Sequence, residues 1–303
     1  MTAAIDVQDL RVRYRSKKGN WVPAVNGLSF QVAPGEIVGF LGPNGAGKSS
    51  TLKALMGFVE PCAGECRLFG APAGSLEAKK RIGYLPEVAM YYPFLTPIET
   101  LTLYGELQGF GARAARKEAA TLLEVVGLQE SAKKLNRTLS KGMLQRVGIA
   151  QSLLGSPDLL ILDEVTSGLD PVGRKELREI LKDRQRQGTT LFFSSHELSE
   201  VDMLCDRILI LDKGSLIEER GVEALKDQLR RYVLKYHGPA MIMGIPGEGD
   251  ESEDHVFELR CSTKEDLILA LEKVQKSYGQ IIDIESREGS LEEYFIDTLE
   301  RAA

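Results

Sequence analysis

Cysteine is scarce, four in 303 residues, and only Cys62 and Cys66 lie close together, with no histidine or further cysteine nearby to complete a metal set. That argues against a disulfide framework or a thiolate-bound zinc and reads the thiols as buried or incidental. Long apolar runs are missing too: the longest, such as 159–162 and 208–211, are strand-sized, against the ~18–20 consecutive apolar residues of a bilayer-spanning helix. The start, Met1-Thr2-Ala3-Ala4-Ile5-Asp6, has no basic region followed by an apolar run, so nothing there marks the chain for secretion and a cytoplasmic location is expected. Positive charge is in deficit, with 38 Lys+Arg against 44 Asp+Glu and a net charge of −6 at pH 7. This argues against a protein held to nucleic acid or anionic lipid by bulk charge. No internal repeat and no long heptad run is present.

What is present is a globular composition, 43% hydrophobic and 27% charged, over a length that allows one large domain or a large and a small one. Alternating apolar positions (Ile5, Val7, Leu10, Val12, Tyr14, then Leu28, Phe30, Val32) predict antiparallel sheet up to the Pro34-Gly35 break. The run Ile37-Val38-Gly39-Phe40-Leu41 then leads into a glycine loop and a helix carrying Leu52, Leu55 and Met56. Residues 97–156 read as helical. Strands at 159–162 and 190–193 flank a helix around Leu177, Ile180 and Leu181, and strand 207–211 ends at the hairpin signal Asp212-Lys213-Gly214. Strands alternating with helices indicate a parallel sheet. After about Gly221 a helix, a strand at 232–236 and an acidic stretch at 247–254, read as a solvated linker, precede two strands (256–261 and 281–284). Each of these is followed by a helix, with capping boxes at Ser262 to Glu265 and Ser290 to Glu293.

The glycine loop is Gly42-Pro43-Asn44-Gly45-Ala46-Gly47-Lys48-Ser49. Glycines at this spacing let backbone N–H groups curl around a polyphosphate, and the following helix N-terminus adds a favourable field. Lys48 is placed to reach β and γ phosphates, Ser49 to ligate Mg²⁺, and Ser50 follows in the same turn. The strand 159–162 ends in Asp163-Glu164 at the sheet edge where parallel sheets bind ligands. Asp163 offers oxygen to a hard cation, and Glu164 is placed as the base that accepts a proton from an attacking water. Simple helix capping is the alternative for both.

In order and content these motifs resemble the nucleotide-binding subunit of an ABC transporter, over about residues 1–220. The most specific element is Leu139-Ser140-Lys141-Gly142-Met143, which resembles that family's signature and departs from its commoner glycine and glutamine at Lys141 and Met143. The resemblance implies that Ser140 and Gly142 meet the γ-phosphate bound by a second copy; an ordinary helix start at Ser140 is the alternative. It implies further that His196 is the switch histidine on the γ-phosphate and that Asp170, in Ser167-Gly168-Leu169-Asp170, shapes the opposite site, with a plain turn before the Pro171 helix as the alternative. Glu87 stands where the family generally has a glutamine contacting Mg²⁺ and water. Tyr14 matches the adenine-stacking aromatic, with a core position as its alternative. Met90, Tyr91, Tyr92, Phe94 and Leu95 form an apolar cluster, read either as a docking surface or as packing under the helical segment.

The fold expected is thus α/β: a P-loop NTPase core with an antiparallel β subdomain and an inserted helical subdomain (about 95–156) within an ABC-type nucleotide-binding domain at 1–221. A small C-terminal α+β domain at 222–303 follows, whose end resembles the appendage of bacterial export ATPases through Ser290-Leu291-Glu292-Glu293-Tyr294-Phe295. The function implied is hydrolysis of ATP, with Mg²⁺, by a homodimer that sandwiches nucleotide and drives separate integral membrane permease subunits from the inner face of the membrane. No nucleic-acid partner is expected. A soluble ABC-type ATPase of translation or DNA repair is the rival reading.

Overall fold

The computed structural model describes residues 2–88, 90–195, 198–237, 249–251, 256–287 and 289–302. Its chain divides into two compact units, Met1–Glu219 and Arg220–Arg301. In the first, the alternating residues of β1 (Ile5–Arg15) and β2 (Trp21–Val32) pair antiparallel and bury Ile5, Val7, Leu10 and Val12 against Val25, Leu28, Phe30 and Val32. After β3 (Ile37–Leu41) and α1 (Lys48–Leu55), β4 (Ala63–Leu68) and β5 (Ala71–Pro72) complete a four-stranded antiparallel sheet, ordered β2-β1-β4-β5. The strand β4 was not expected. Its sequence, Ala-Gly-Glu-Cys-Arg-Leu, shows only Cys66 and Leu68 to the core, so pairing with β1 rather than intrinsic preference holds it extended.

A short helix α2 (Leu76–Lys79) leads to β6 (Ile82–Leu85), and then come the three long helices α3 (Pro97–Leu107), α4 (Ala112–Val125) and α5 (Lys141–Ser152). Thr96 and Glu99 close a reciprocal capping box at the start of α3, and Gly105 lets α4 approach at Ala115, whose Cβ would lie 2.9 Å from an added one. The parallel core follows with β7 (Leu159–Asp163), α6 (Pro171–Arg186), β8 (Thr190–Ser195), α7 (Leu198–Leu204), β9 (Arg207–Asp212) and β10 (Ser215–Gly221). The second sheet is ordered β10-β9-β3-β8-β7-β6. Strands β3, β7 and β8 are buried along their whole length, as a sheet covered on both faces requires. Phe30 of the first sheet stacks on Phe192 of the second at 5.5 Å, and Phe40 meets Phe192 at 5.0 Å, so one apolar core joins the two sheets. Arg178 of α6 donates to both oxygens of the buried Glu200 of α7 at 2.8 Å.

The second unit has α8 (Val222–Leu229), β11 (Arg231–His237), β12 (Gly249–Glu251), β13 (Val256–Cys261), α9 (Lys264–Lys276), β14 (Gln280–Arg287) and α10 (Leu291–Ala302). Its sheet is antiparallel throughout, ordered β12-β13-β11-β14, and packs Leu234, Tyr236, Phe257, Leu259 and Cys261 against Leu267, Ala270 and Val274 of α9. Two expectations are corrected here. Residues 249–251 are an edge strand beside β13, not linker; the rest of the stretch 247–254 lies outside the described residues. The capping box of α9 is Thr263 with Asp266, one residue later than Ser262 with Glu265, because β13 runs on to Cys261 and Thr263 holds the extended N-cap conformation. All four cysteines are free thiols, with Cys66, Cys205 and Cys261 buried. Among the described residues no helix is long and apolar enough to cross a membrane.

Candidate functional site

The parallel register brings several chain reversals to one edge. Leu41 is level with Ser195, Asp163 with Ser194, and Leu85 with Leu162. The residues that follow β3, β6 and β7 therefore emerge side by side: the glycine loop from Gly42, the segment with Glu87, and Glu164.

The loop conformation admits only glycine at its two ends. Gly42 and Gly47 hold φ of 156° and 105°. A Cβ at Gly42 would lie 2.5 Å from the Leu211 carbonyl oxygen, and one at Gly47 would lie 2.5 Å from that of Ala24. Pro43, Asn44 and Gly45 form the exposed tip, Ala46 is buried, and Ser49 and Ser50 are half-buried in the first turn of α1. No side chain caps α1 and no acidic residue stands in its first turn, so its leading N–H groups face the loop ready for an anion. Lys48 is buried, and its ammonium donates to the carbonyls of Gly42 (2.5 Å) and Pro43 (3.2 Å). Burial lowers its pKa, while the carboxylates of Glu164, Asp163 and Glu87 act in the opposite direction. All three acidic candidates thus lie within electrostatic range of the lysine.

Asp163 is buried and accepts a 2.5 Å hydrogen bond from the Ser194 hydroxyl, whose oxygen in turn accepts from the Glu164 backbone N–H at 3.1 Å. Glu164 sits at φ 51°, an uncommon conformation for a non-glycine residue, which turns the chain out of β7. Burial, with a further contribution from Asp163, pushes the Tyr84 phenol of β6 up to about 12. Ser194 was not among the residues singled out from sequence; the available signal was a Ser-Ser pair closing an apolar strand. Gly214 was read only as a hairpin residue. Its N–H donates to the Ala46 carbonyl (3.0 Å) and its carbonyl accepts from Asn26 (2.8 Å), so this turn braces the glycine loop.

Ser140 is the N-cap of α5, accepting from the Met143 N–H at 3.2 Å. The beginning of α5 lies on the segment after Glu164: Gln145 donates to the Val165 carbonyl at 2.9 Å, an added Cβ at Gly142 would be 3.1 Å from the Gly168 carbonyl, and the Lys141 stem runs along Gly168 to Ser167. Asp170 caps α6 through the Gly173 N–H at 2.8 Å. Within one chain, then, Ser140 is the ordinary helix start that was its alternative reading, and Asp170 ends the turn before the Pro171 helix as its cap. Tyr14 is 39% exposed, not in the core. It lies at the end of β1, where Arg13, Tyr14 and Arg15 are all exposed. Glu87 is exposed. Of the apolar cluster, Tyr91 packs on Tyr104 at 6.3 Å, whereas Met90, Tyr92 and Phe94 are exposed. His196 lies outside the described residues.

Residues 25–167 match the family model described as ABC transporter. An uncharacterized ABC transporter ATP-binding protein of Nostoc sp. is 38% identical over 99% of this chain and 90% of its own length. The Nod factor export ATP-binding protein I of Burkholderia orbicola is 38% identical over 78% of this chain and 77% of its own. The solved structure of a dimeric bacterial ABC transporter cassette superimposes with a TM-score of 0.67 at 25% identity, covering 72% of this chain and 98% of that one. The chain belongs to the ATP-binding proteins of ABC transporters. It binds and hydrolyses ATP as the energy-supplying subunit of a transporter, which removes the soluble translation or repair ATPase from consideration.

Proposed function

We propose that this chain drives an exporter, with two copies closing face to face around two ATP molecules on the cytoplasmic side of a membrane permease. The observation that carries the reading is the convergence of Lys48, Asp163, Glu164 and Glu87 at one sheet edge, beside a glycine loop whose N–H groups and helix end suit a triphosphate. The similarity to a Nod factor export protein supports the direction of transport, and the similarity to a dimeric cassette supports self-association.

In this reading residues 1–221 are the nucleotide-binding domain, with 95–156 its helical subdomain, and 222–303 are an appendage. The loop 42–47, Lys48, Ser49 and Ser50 hold the phosphates, and Tyr14, exposed on its strand, stacks on adenine. Ser140, Gly142 and Asp170 act on nucleotide held by the other copy, and His196 contacts the γ-phosphate. The donors near Lys48 suit Mg²⁺: Ser49, Asp163 and Glu87 offer hard oxygen. Among the described residues no group of three or more His, Cys, Asp or Glu could hold an ion without the nucleotide. When bound with ATP, Mg²⁺ neutralises charge on the β and γ oxygens. Glu164 takes the proton of the attacking water, and the backbone turn at φ 51° aims it away from β7. Exposed Met90, Tyr92 and Phe94 present an apolar surface to the permease.

The hydroxyl of Ser194 holds the Asp163 carboxylate and the backbone N–H of Glu164, so Ser194→Ala should cost about tenfold in turnover and about 1–3 kcal/mol in stability, with Ser194→Thr recovering the rate. Steady-state ATPase and denaturant titration read both. The dimer itself is tested with Glu164→Gln, which should double in mass by light scattering when ATP is added; a monomer persisting at saturating ATP overturns the two-copy reading.

A further inference from the structure

We infer that the C-terminal unit holds a binding site for a phosphate ester, built by Arg231, Arg260 and Arg287 around a cleft of about 610 Å³. Among the described residues, those lining this cleft all belong to the second unit and none is acidic.

The strand register creates the site. Arg231 at the start of β11 lies directly opposite Arg287 at the end of β14, and Arg260 near the end of β13 lies opposite Val233, two residues further along β11. Residues two apart on a strand share a face, so the three guanidiniums stand on the same side of the sheet, the side opposite the Leu234 and Tyr236 core. Like charges placed directly across neighbouring strands destabilise the pair unless an anion lies between them. The carboxylates that share this face, Glu258 and Glu285, both pair with Lys235. Among the described residues Arg231 has no acidic partner; its guanidinium donates through Nη1 to the carbonyls of Gln228 (3.1 Å), Arg230 (3.2 Å) and Ser262 (3.5 Å), which fixes the side chain while leaving its charge unneutralised. Arg287 donates to Glu285 at 2.8 Å, but Glu285 also accepts from Lys235.

Guanidinium forks match the acceptor geometry of a phosphate, and two or three of them bind it in preference to a monovalent carboxylate. The cleft volume lies in the range of small-molecule sites, large enough for the phosphate and part of what carries it. Val233 lines the cleft on the same face as the arginines and offers apolar surface to that remainder. The phosphate comes either from a soluble ester or from a lipid headgroup; the chemistry of recognition is the same.

The test uses the full chain with saturating Mg·ADP, so that the glycine loop is filled, at constant ionic strength. Inorganic phosphate is titrated by calorimetry, and vesicles of phosphatidic acid in phosphatidylcholine are assayed by flotation. Binding that falls at least about tenfold in the double variant Arg231→Gln/Arg287→Gln, and likewise in Arg260→Gln, with ATPase kinetics unchanged, supports the site. Free phosphate binding without vesicle capture identifies a soluble ester, whereas capture dependent on phosphatidic acid identifies a headgroup. Absence of binding to both probes, or binding unaltered in variants that retain ATPase activity and hence the fold, overturns it.

Discussion

Glu164→Gln is expected to lose about 10²-fold or more of ATP turnover while retaining nucleotide affinity. The two side chains have the same shape, and the conformation at residue 164 is held through the backbone: its N–H donates to the hydroxyl and the carbonyl oxygen of Ser194. The change therefore removes the proton acceptor and one negative charge and leaves the turn in place. That lost charge also helps keep Lys48 protonated against the effect of burial, so the ammonium should titrate at somewhat lower pH in the variant. Lys48 keeps its bonds to the Gly42 and Pro43 carbonyls in the variant, and binding is preserved. Single-turnover hydrolysis and nucleotide titration separate the two quantities. Turnover equal to the parent would remove Glu164 from the role of base.

Gly47→Val should abolish useful ATP binding, with an affinity loss of roughly 10²-fold or greater. A β-branched residue at φ 105° is strained by about 1–3 kcal/mol, and its Cβ would sit 2.5 Å from the Ala24 carbonyl oxygen, a backbone atom of β2 that the paired sheet holds in place. Relief requires the loop to move away from β2, which turns the N–H groups off the phosphate position; each 1.4 kcal/mol is tenfold in affinity. Gly45 is the control. It also has positive φ, 84°, but an added Cβ meets nothing within 4 Å, so Gly45→Ala pays only the conformational strain and loses less. Fluorescent-nucleotide titration of the two variants should rank them in that order; equal affinities would contradict the steric account.

Local signals account for much of what was legible in advance. The glycine loop, Lys48 and Asp163-Glu164 announce themselves because each chemical demand is met within a few adjacent residues, between a strand and a helix whose periodicities are plain. What escaped depends on partners distant in sequence. Ser194 matters through a hydroxyl that reaches across from β8 to β7, and Gly214 through a backbone bond to Ala46. Neither has a local pattern that would distinguish it. Tyr14 could be read either as an adenine-stacking aromatic or as core, because alternation along a strand says nothing of where the core ends, and its exposure at the end of β1 removes the second reading. The strand at 249–251 could not be separated from acidic linker, since its extended form depends on pairing with β13. The displaced cap at Thr263 reflects the same limit, where the end of a strand, set by its neighbours, decides which hydroxyl begins the helix.

That one nucleotide is held by two copies of the chain is tested most directly by complementation. Lys48→Ala disables the glycine loop, and Ser140→Trp blocks the helix end offered to the other copy; each variant alone should be nearly inactive. In an equal mixture, half of the randomly formed pairs contain one of each and retain one intact site, so up to roughly a quarter of the parental ATPase rate should return. A mixture as inactive as its components, or Ser140→Trp hydrolysing ATP at the parental rate by itself, would contradict the shared site.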